Sequence, residues 1–297
     1  MYSLSVIILS YAIDEDIYRM NCQCLDSLFS SENWKVGELE VLLIESNKAS
    51  KYQYRHNIKI IVPEEQFNFH RFLNIGLQNS VGNFIAFCNN DIVFTPGWFS
   101  AISKVKDGHP EFKCFSPLDR SYPLMGENSL PGTKDYYIGW DNKKHFAAWC
   151  FVWERTVFDI IGPFDEKFVF YSADDDELQT LRYYAIPNVV VTHSEVKHLS
   201  QVVTKKESAI NPHKITDKEK YPLTEAEIKR GYSWLWDDDR FYYAYQQEKK
   251  KWGNSQMRQR VNRFLEKHKW LNRRCITKIL YNRRVNILMA KLTGIKQ

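Results

Sequence analysis

The chain has 297 residues, of which 44% are hydrophobic, 15% aromatic and 26% charged, with 12 Gly and 10 Pro. That balance supports a large buried core and excludes a disordered or collagen-like chain, and no apolar run reaches the ~18–20 residues needed to cross a bilayer. The net charge of +5 conceals two bodies: residues 246–297 carry 15 Lys and Arg against Glu248 and Glu266, a net +13, while the remainder holds 26 against 34 acids, a net −8.

Ser3–Leu9 is aliphatic and β-branched and stops at Ser10-Tyr11, which predicts a buried parallel strand. The run is too short, and lacks the basic flank, for a secretory signal. Asp14–Ser30 has helical spacing through Ile17, Met20, Cys24 and Leu28, with acids in its first turn. Glu40–Ile44 and Ile58–Val62 read as further strands, Phe69–Asn79 as a helix, and Asn83–Cys88 as a strand ending at Asn89-Asn90-Asp91. Strands alternating with helices imply a parallel sheet with right-handed crossovers. Ligands bind such sheets outside the carboxyl ends of the strands. Three of those ends are polar here: Ser10-Tyr11, Glu45-Ser46-Asn47 and Asn89-Asn90-Asp91.

Leu118–Phe146 is rich in Pro, Gly, Tyr and Lys without a clear period, and reads as a long functional loop. Trp149–Ile161 resumes apolar periodicity, Gly162-Pro163 breaks it, and the acidic run Asp174–Glu177 leads into a helix. Asn188–Val191 reads as a strand, followed by His193 and His198. Lys205–Tyr221 reads as a linker, and Thr224 and Glu227 stand at capping-box spacing. The last ~40 residues place Met257, Val261, Phe264, Leu265, Leu271, Ile276, Ile279 and Leu280 at largely helical spacing among Arg and Lys, a basic amphipathic segment. The six cysteines (Cys22, Cys24, Cys88, Cys114, Cys150 and Cys275) offer no second close pair to complete a zinc site, so reduced thiols in a cytoplasmic protein are expected.

Three elements carry chemistry. Gly82–Asp91 runs a buried strand into a carboxylate, which suits a hard cation shared with a substrate's phosphates, although Asn-Asn-Asp is also ordinary turn chemistry. Four acids at Asp174–Glu177 exceed what a helix N-terminus needs, and one of them is expected to serve as a general base. His193 and His198 follow a strand and could reach the same metal.

Taken in order, Ser5–Tyr11, Val41–Asn47, Asn74-Ile-Gly76 with Gly82–Asp91, Gly162–Glu166, and Asp174–Leu178 before His198 resemble the family-2 glycosyltransferases of the GT-A fold. The resemblance covers roughly residues 3–204. It implies an α/β fold with a Rossmann-like, mostly parallel sheet flanked by helices, and a helical basic C-terminal extension outside the family region. The expected domains are therefore a catalytic domain over 1–204 and a linker with basic helices over 205–297.

The resemblance also implies an inverting, metal-dependent hexosyl- or pentosyltransferase with a nucleotide-diphosphate donor, a UDP-sugar in particular. By position, Ser10, Tyr11, Glu45, Ser46, Asn47, Arg71 and Asn90 match the donor pocket. Asp91 matches the metal ligand for Mn2+ or Mg2+. His198 matches a histidine that helps hold diphosphate or metal, with His193 as the fallback. Asp175 matches the base, with Asp174 and Asp176 as its alternatives. Two positions depart from the family pattern: Asn89 and Asn90 stand where a second carboxylate is usual, and Ser46 stands where an aspartate often reads the base, so Glu45 is expected to take that role.

Three readings of function follow. One is an enzyme acting on a surface glycan or lipid-linked saccharide, its tail on the anionic inner membrane face. The second is an enzyme that glycosylates hydroxylated bases of viral DNA, its tail following phosphates with Trp252, Trp270 and Tyr281 available to stack. The third is a binding module whose metal motif has degenerated at Asn89.

Overall fold

The computed structural model describes residues 2–120, 125, 134–141, 144–199 and 213–295. The expected linker lies outside them up to residue 212, as does most of 121–133. The strands are β1 (Leu4–Ser10), β2 (Leu39–Glu45), β3 (Lys59–Ile61), β4 (Phe84–Asn89), β5 (Ile92–Phe94), β6 (Cys114–Leu118), β7 (Tyr136–Gly139), β8 (Cys150–Glu154) and β9 (Asn188–His198). They form one sheet in the order β3-β2-β1-β4-β8-β6-β9-β5, with β7 also on β9. β1 to β4 are mutually parallel, β8 is antiparallel to β4 and β6, and β9 is parallel to β6.

Alternation along the strands fills two cores, one on each face. Val6, Ile8, Leu43 and Ala86 face Leu25 and Leu28 of α1 (Glu15–Ser30) and Trp98 and Ile102 of α3 (Trp98–Gly108). Ile7, Leu42, Ile85 and Phe87 face Phe72 and Leu73 of α2 (Phe69–Asn79) and Leu178 and Leu181 of α5 (Ala173–Tyr183). Both faces are covered, so all seven residues of β1 are buried. Each fully buried Phe or Leu contributes roughly 1.5–3 kcal/mol. Glycine is required at two contacts: a Cβ on Gly76 would overlap Ile7 Cγ2, and one on Gly82 would lie 2.6 Å from the Ser5 nitrogen. The Asn74-Ile-Gly76 motif therefore seats α2 on β1.

Two expectations are corrected. The aperiodic middle contains a strand, β7, which pairs antiparallel with β9 from Tyr136↔Val191 to Gly139↔Asn188. Its period was hidden because an edge strand takes its order from a partner far along the chain. Likewise β9 does not stop at Val191 but runs on to His198, its polar half paired with β5.

The acid-rich segment forms α5, preceded by the short α4 (Phe158–Ile161). Beyond residue 213 come α6 (Glu225–Lys229), α7 (Asp239–Trp252), α8 (Ser255–Lys267), α9 (Arg274–Leu280) and α10 (Arg283–Leu292). Thr224 and Glu227 form the expected capping box on α6. Met257, Val261, Leu265, Tyr281, Ala290 and Ile295 form a small core of their own. No helix among the described residues is long and apolar enough to cross a membrane. All six cysteines are free, with Cys88 and Cys150 Sγ 3.4 Å apart across β4 and β8.

Candidate active site

β1, β2 and β4 end side by side, with Ser10 opposite Glu45 and Leu9 opposite Asn89. Glu45 is 2% exposed and both its oxygens are engaged. Oε2 accepts from Ser10 Oγ at 2.7 Å, and Oε1 accepts from the N–H groups of Ala12 at 3.0 Å and Asn47 at 2.8 Å. A buried carboxylate bonded this way braces the loops after both strands. Asn21 of α1 extends the network. Its Nδ2 donates to Ser10 Oγ and Tyr54 OH, and its Oδ1 accepts from Asn90 Nδ2 at 2.6 Å. Asn47 Nδ2 donates to the Ala12 carbonyl at 2.7 Å. Tyr11 is half-buried between these loops. Ser46 Oγ is shut from solvent without a hydrogen-bond partner.

Asp91 sits in the turn between β4 and β5 and is 5% exposed. His198 Nε2 lies 3.1 Å from its Oδ1, yet that oxygen has no partner in hydrogen-bonding geometry. The two meet because β5 and β9 pair in the register Ile92↔His198. The histidine ring is fixed by stacking on Trp149 at 5.1 Å, and its backbone N–H donates to Asp119 Oδ2 at 3.2 Å. A buried, orphaned carboxylate oxygen beside an imidazole nitrogen fits a borderline-hard divalent cation whose other positions belong to diphosphate and water. His193 is not part of this arrangement: it is 72% exposed and pairs with Asp135 at 3.3 Å. His213, Asp238 and Asp239 also cluster, but Asp238 is held by Arg240 at 2.8 Å and His213 by Asp239 at 3.4 Å.

The Gly162–Glu166 turn is clamped by α2. Asn74 exchanges two bonds with Phe164, Asn68 Nδ2 donates to the Glu166 carbonyl, and Arg71 Nε pairs with Glu166 Oε2 at 2.8 Å. Arg71 thus belongs to this clamp and is not joined to the Ser10–Glu45–Asn90 network. His70 Nε2 lies 3.3 Å from Glu177 Oε1, both side chains fully buried, and its Nδ1 faces the Asp165 carbonyl at 2.8 Å. Burial pushes the Glu177 carboxyl up to about 7, against the pull of His70. Burial would lower His70, but the bond and charge of Glu177 raise it.

These contacts fix the start of α5, where the three aspartates have different environments. Asp176 is 2% exposed: Trp252 Nε1 donates to its Oδ1 at 2.7 Å and Lys251 Nζ to its Oδ2 at 2.9 Å. Burial raises its carboxyl despite the nearby ammonium. Asp174 is half-buried and accepts the Asp175 N–H at 3.0 Å. Asp175 is exposed.

Asp175 also lines a cavity of about 590 Å³ between α5, the segment at Trp140, and helices of the C-terminal region, including α7 and α8. The C-terminal region is joined to the sheet domain here. Lys251 pairs with Asp165 at 3.0 Å and Thr277 Oγ1 donates to the Tyr183 carbonyl at 3.1 Å.

Trp252 and Tyr281, expected to be available for stacking, are instead buried, Trp252 against Asp176 and Tyr281 in the small C-terminal core. Sequence reasoning passed over several residues of these networks: Asn21, Tyr54, His70, Asp119, Trp149 and Lys251. Asn21 and His70 had a signal, since both occupy the inward face of an amphipathic helix where a polar residue needs a partner. The others act across long sequence distances and had none.

Residues 5–155 match the sequence profile of the family described as Glycosyl transferase family 2. No curated protein matches the chain at the level of sequence. Among solved structures, GalNAc-T7 with UDP, GalNAc and Mn2+ superposes with a TM-score of 0.52 at 14% identity, over 74% of this chain and 49% of that one. This chain therefore aligns with about half the length of GalNAc-T7. The mannosyltransferase PcManGT from Pyrobaculum calidifontis, in complex with GDP-Man and Mn2+, gives 0.52 at 11% identity over 99% and 88% of the two chains. S. aureus TarS 1-349 gives 0.50 at 12% identity over 98% and 92%.

Proposed function

The chain belongs to glycosyl transferase family 2 and has the GT-A fold, and from that premise we propose that it moves a sugar, with inversion, from a nucleotide-diphosphate donor to an acceptor hydroxyl. The observation that carries this reading is the sorting of the three aspartates. Asp176 is buried against Lys251 and Trp252, whereas Asp175 is solvent-exposed and lines a cavity large enough for an acceptor.

The nucleotide lies outside the ends of β1, β2 and β4. Tyr11 and Asn47 border it, Ser46 turns its hydroxyl away from solvent, and Ser10, Glu45 and Asn90 hold those loops in place. Asp91 and His198 would hold Mn2+ or Mg2+, which when bound neutralises charge on the leaving diphosphate. Asp175 takes the proton of the acceptor hydroxyl. The oxygen attacks the anomeric carbon from the face opposite the diphosphate, a new C–O bond forms, and the old C–O bond leaves with its electron pair on the nucleotide diphosphate. A UDP-sugar is the donor to test first.

The acceptor is proposed to be a glycan or lipid-linked saccharide at an anionic membrane face. Trp270, Ile279, Leu288 and Leu292 are exposed on the C-terminal helices, interleaved with cations such as Lys269, Arg273 and Arg284. Apolar side chains among cations suit a lipid interface better than a phosphate backbone. Purified protein with Mn2+ and a panel of nucleotide sugars, assayed for released nucleotide diphosphate, tests the chemistry. Silence with every donor would overturn it. Flotation with anionic vesicles and gel shift with DNA, at two ionic strengths, test the tail: binding to DNA alone would favour the nucleic-acid acceptor instead.

A further inference from the structure

We propose that the cavity between α5 and the C-terminal helices is a binding site for an uncharged saccharide chain, the acceptor, and that the tail of this protein builds one wall of it. The inference rests on the transferase reading above, narrows its acceptor to an uncharged saccharide, and assigns the residues that select it.

Four observations support it. First, the cavity of about 590 Å³ has the size in which proteins hold small organic ligands. Second, its wall carries Trp140, Tyr232, Trp234, Phe241 and Tyr245. Aromatic faces pack against the C–H faces of pyranose rings, and Trp234 is still 48% exposed, so it has surface to give. Third, its charges suit a neutral ligand. Asp141, Asp175 and Glu248 line it together with Arg182 and Arg258. Both guanidinium groups are already committed: Arg258 is paired with Glu248, and Arg182 with Asp141 and the Trp140 carbonyl. A phosphate backbone would therefore meet carboxylates and no uncommitted guanidinium in this wall. Fourth, Gln179 is 8% exposed, lines the cavity, and its Nε2 has no hydrogen-bond partner. An amide donor left unpaired in a buried wall is costly unless a ligand or water accepts from it, and a sugar hydroxyl is such an acceptor.

Asp175, at the mouth of α5, is the residue that connects the cavity to the reaction. A saccharide hydroxyl placed against it loses its proton to the carboxylate as its oxygen takes the anomeric carbon. That wall comes from α7 and α8, outside the residues that match the family profile, so acceptor choice is assigned to the C-terminal region.

Saturation-transfer NMR on the full chain tests this, with neutral hexose oligosaccharides, a single-stranded DNA oligonucleotide and anionic vesicles as separate probes. The neutral oligosaccharides should give signals and the DNA should not compete. Trp234→Ala should weaken binding roughly tenfold, the effect of losing one aromatic contact, and Trp234→Phe should restore most of it. In turnover, the same oligosaccharides should accelerate nucleotide release, and Trp234→Ala should raise the saccharide KM more than it lowers kcat. The inference is overturned if the donor is hydrolysed while no neutral saccharide binds or accelerates the reaction, or if Trp234→Ala binds as the parent does. Saccharide binding without any donor turnover would sustain the cavity assignment and overturn the catalytic reading instead.

Discussion

Asp175 and Asp176 are neighbours in sequence with opposite environments, and their variants should separate accordingly. Asp176→Asn should leave Lys251 with one fewer charged partner and cost about 1–3 kcal/mol, read as a lowered melting temperature. Asp175→Asn should melt like the parent and bind donor, yet lose transfer. Transfer retained in both variants and in Asp174→Asn would remove the base from this helix. At Asp91 the same logic applies to the metal: Asp91→Asn should reduce turnover by about a hundredfold with little change in melting temperature, and EDTA should do likewise. Activity indifferent to both would remove the metal assignment. The Glu177–His70 pair gives a pH prediction. Glu177 has its carboxyl raised from 4.5 to about 7 in the folded chain, and His70 is raised too. A raised group stabilises fully below its unfolded value and loses that contribution as pH climbs through the folded one. The melting temperature should therefore decline as pH climbs from 4.5 to about 7, and Glu177→Gln should flatten the decline. An unchanged slope in that variant would count against the pair as its source.

At the scale of elements, α2 is the part on which the site's geometry depends. It packs on β1 through Gly76 and grips the Gly162–Glu166 turn through Asn68, Arg71 and Asn74. Gly76→Ala would force a methyl into Ile7 and should cost about 1–3 kcal/mol, detectable in a denaturant titration. Its effect on turnover should exceed its effect on nucleotide binding, because the turn it displaces leads into α5. An equal loss of both would mean that α2 acts on the whole sheet. The strands of this element layer were legible from sequence because β1, β2 and β4 are buried on both faces and read as continuous apolar runs. The β7 strand was not, since its pairing is decided by β9.

For the whole molecule, the decisive contact is between the acidic body and the basic tail. Both sheet cores lie within residues 4–196, so removing residues 239–297 should leave a cooperatively melting domain. That domain should melt at a lower temperature, because Asp176 loses Lys251 and Trp252, and should lose transfer to saccharide because the cavity loses a wall. Circular dichroism on the truncated chain checks this. A melt without a cooperative transition would mean that the tail is part of the folding unit.

The sequence by itself determined the α/β order, the polar strand ends at Ser10, Glu45 and Asn89, and the charge asymmetry. These follow from local pattern: periodicity, burial on two faces, and residue chemistry at a chain break. It also carried the family, because five short motifs recur in one order. Tertiary structure alone decided which of Asp174, Asp175 and Asp176 faces a cavity, that His198 and not His193 meets Asp91, and that Arg71 grips Glu166. The physical reason is common to all three. Each depends on a partner brought in from far along the chain (Trp252 to α5, β5 to β9, α2 to the 162–166 turn), and such pairings are set by packing that no local pattern encodes.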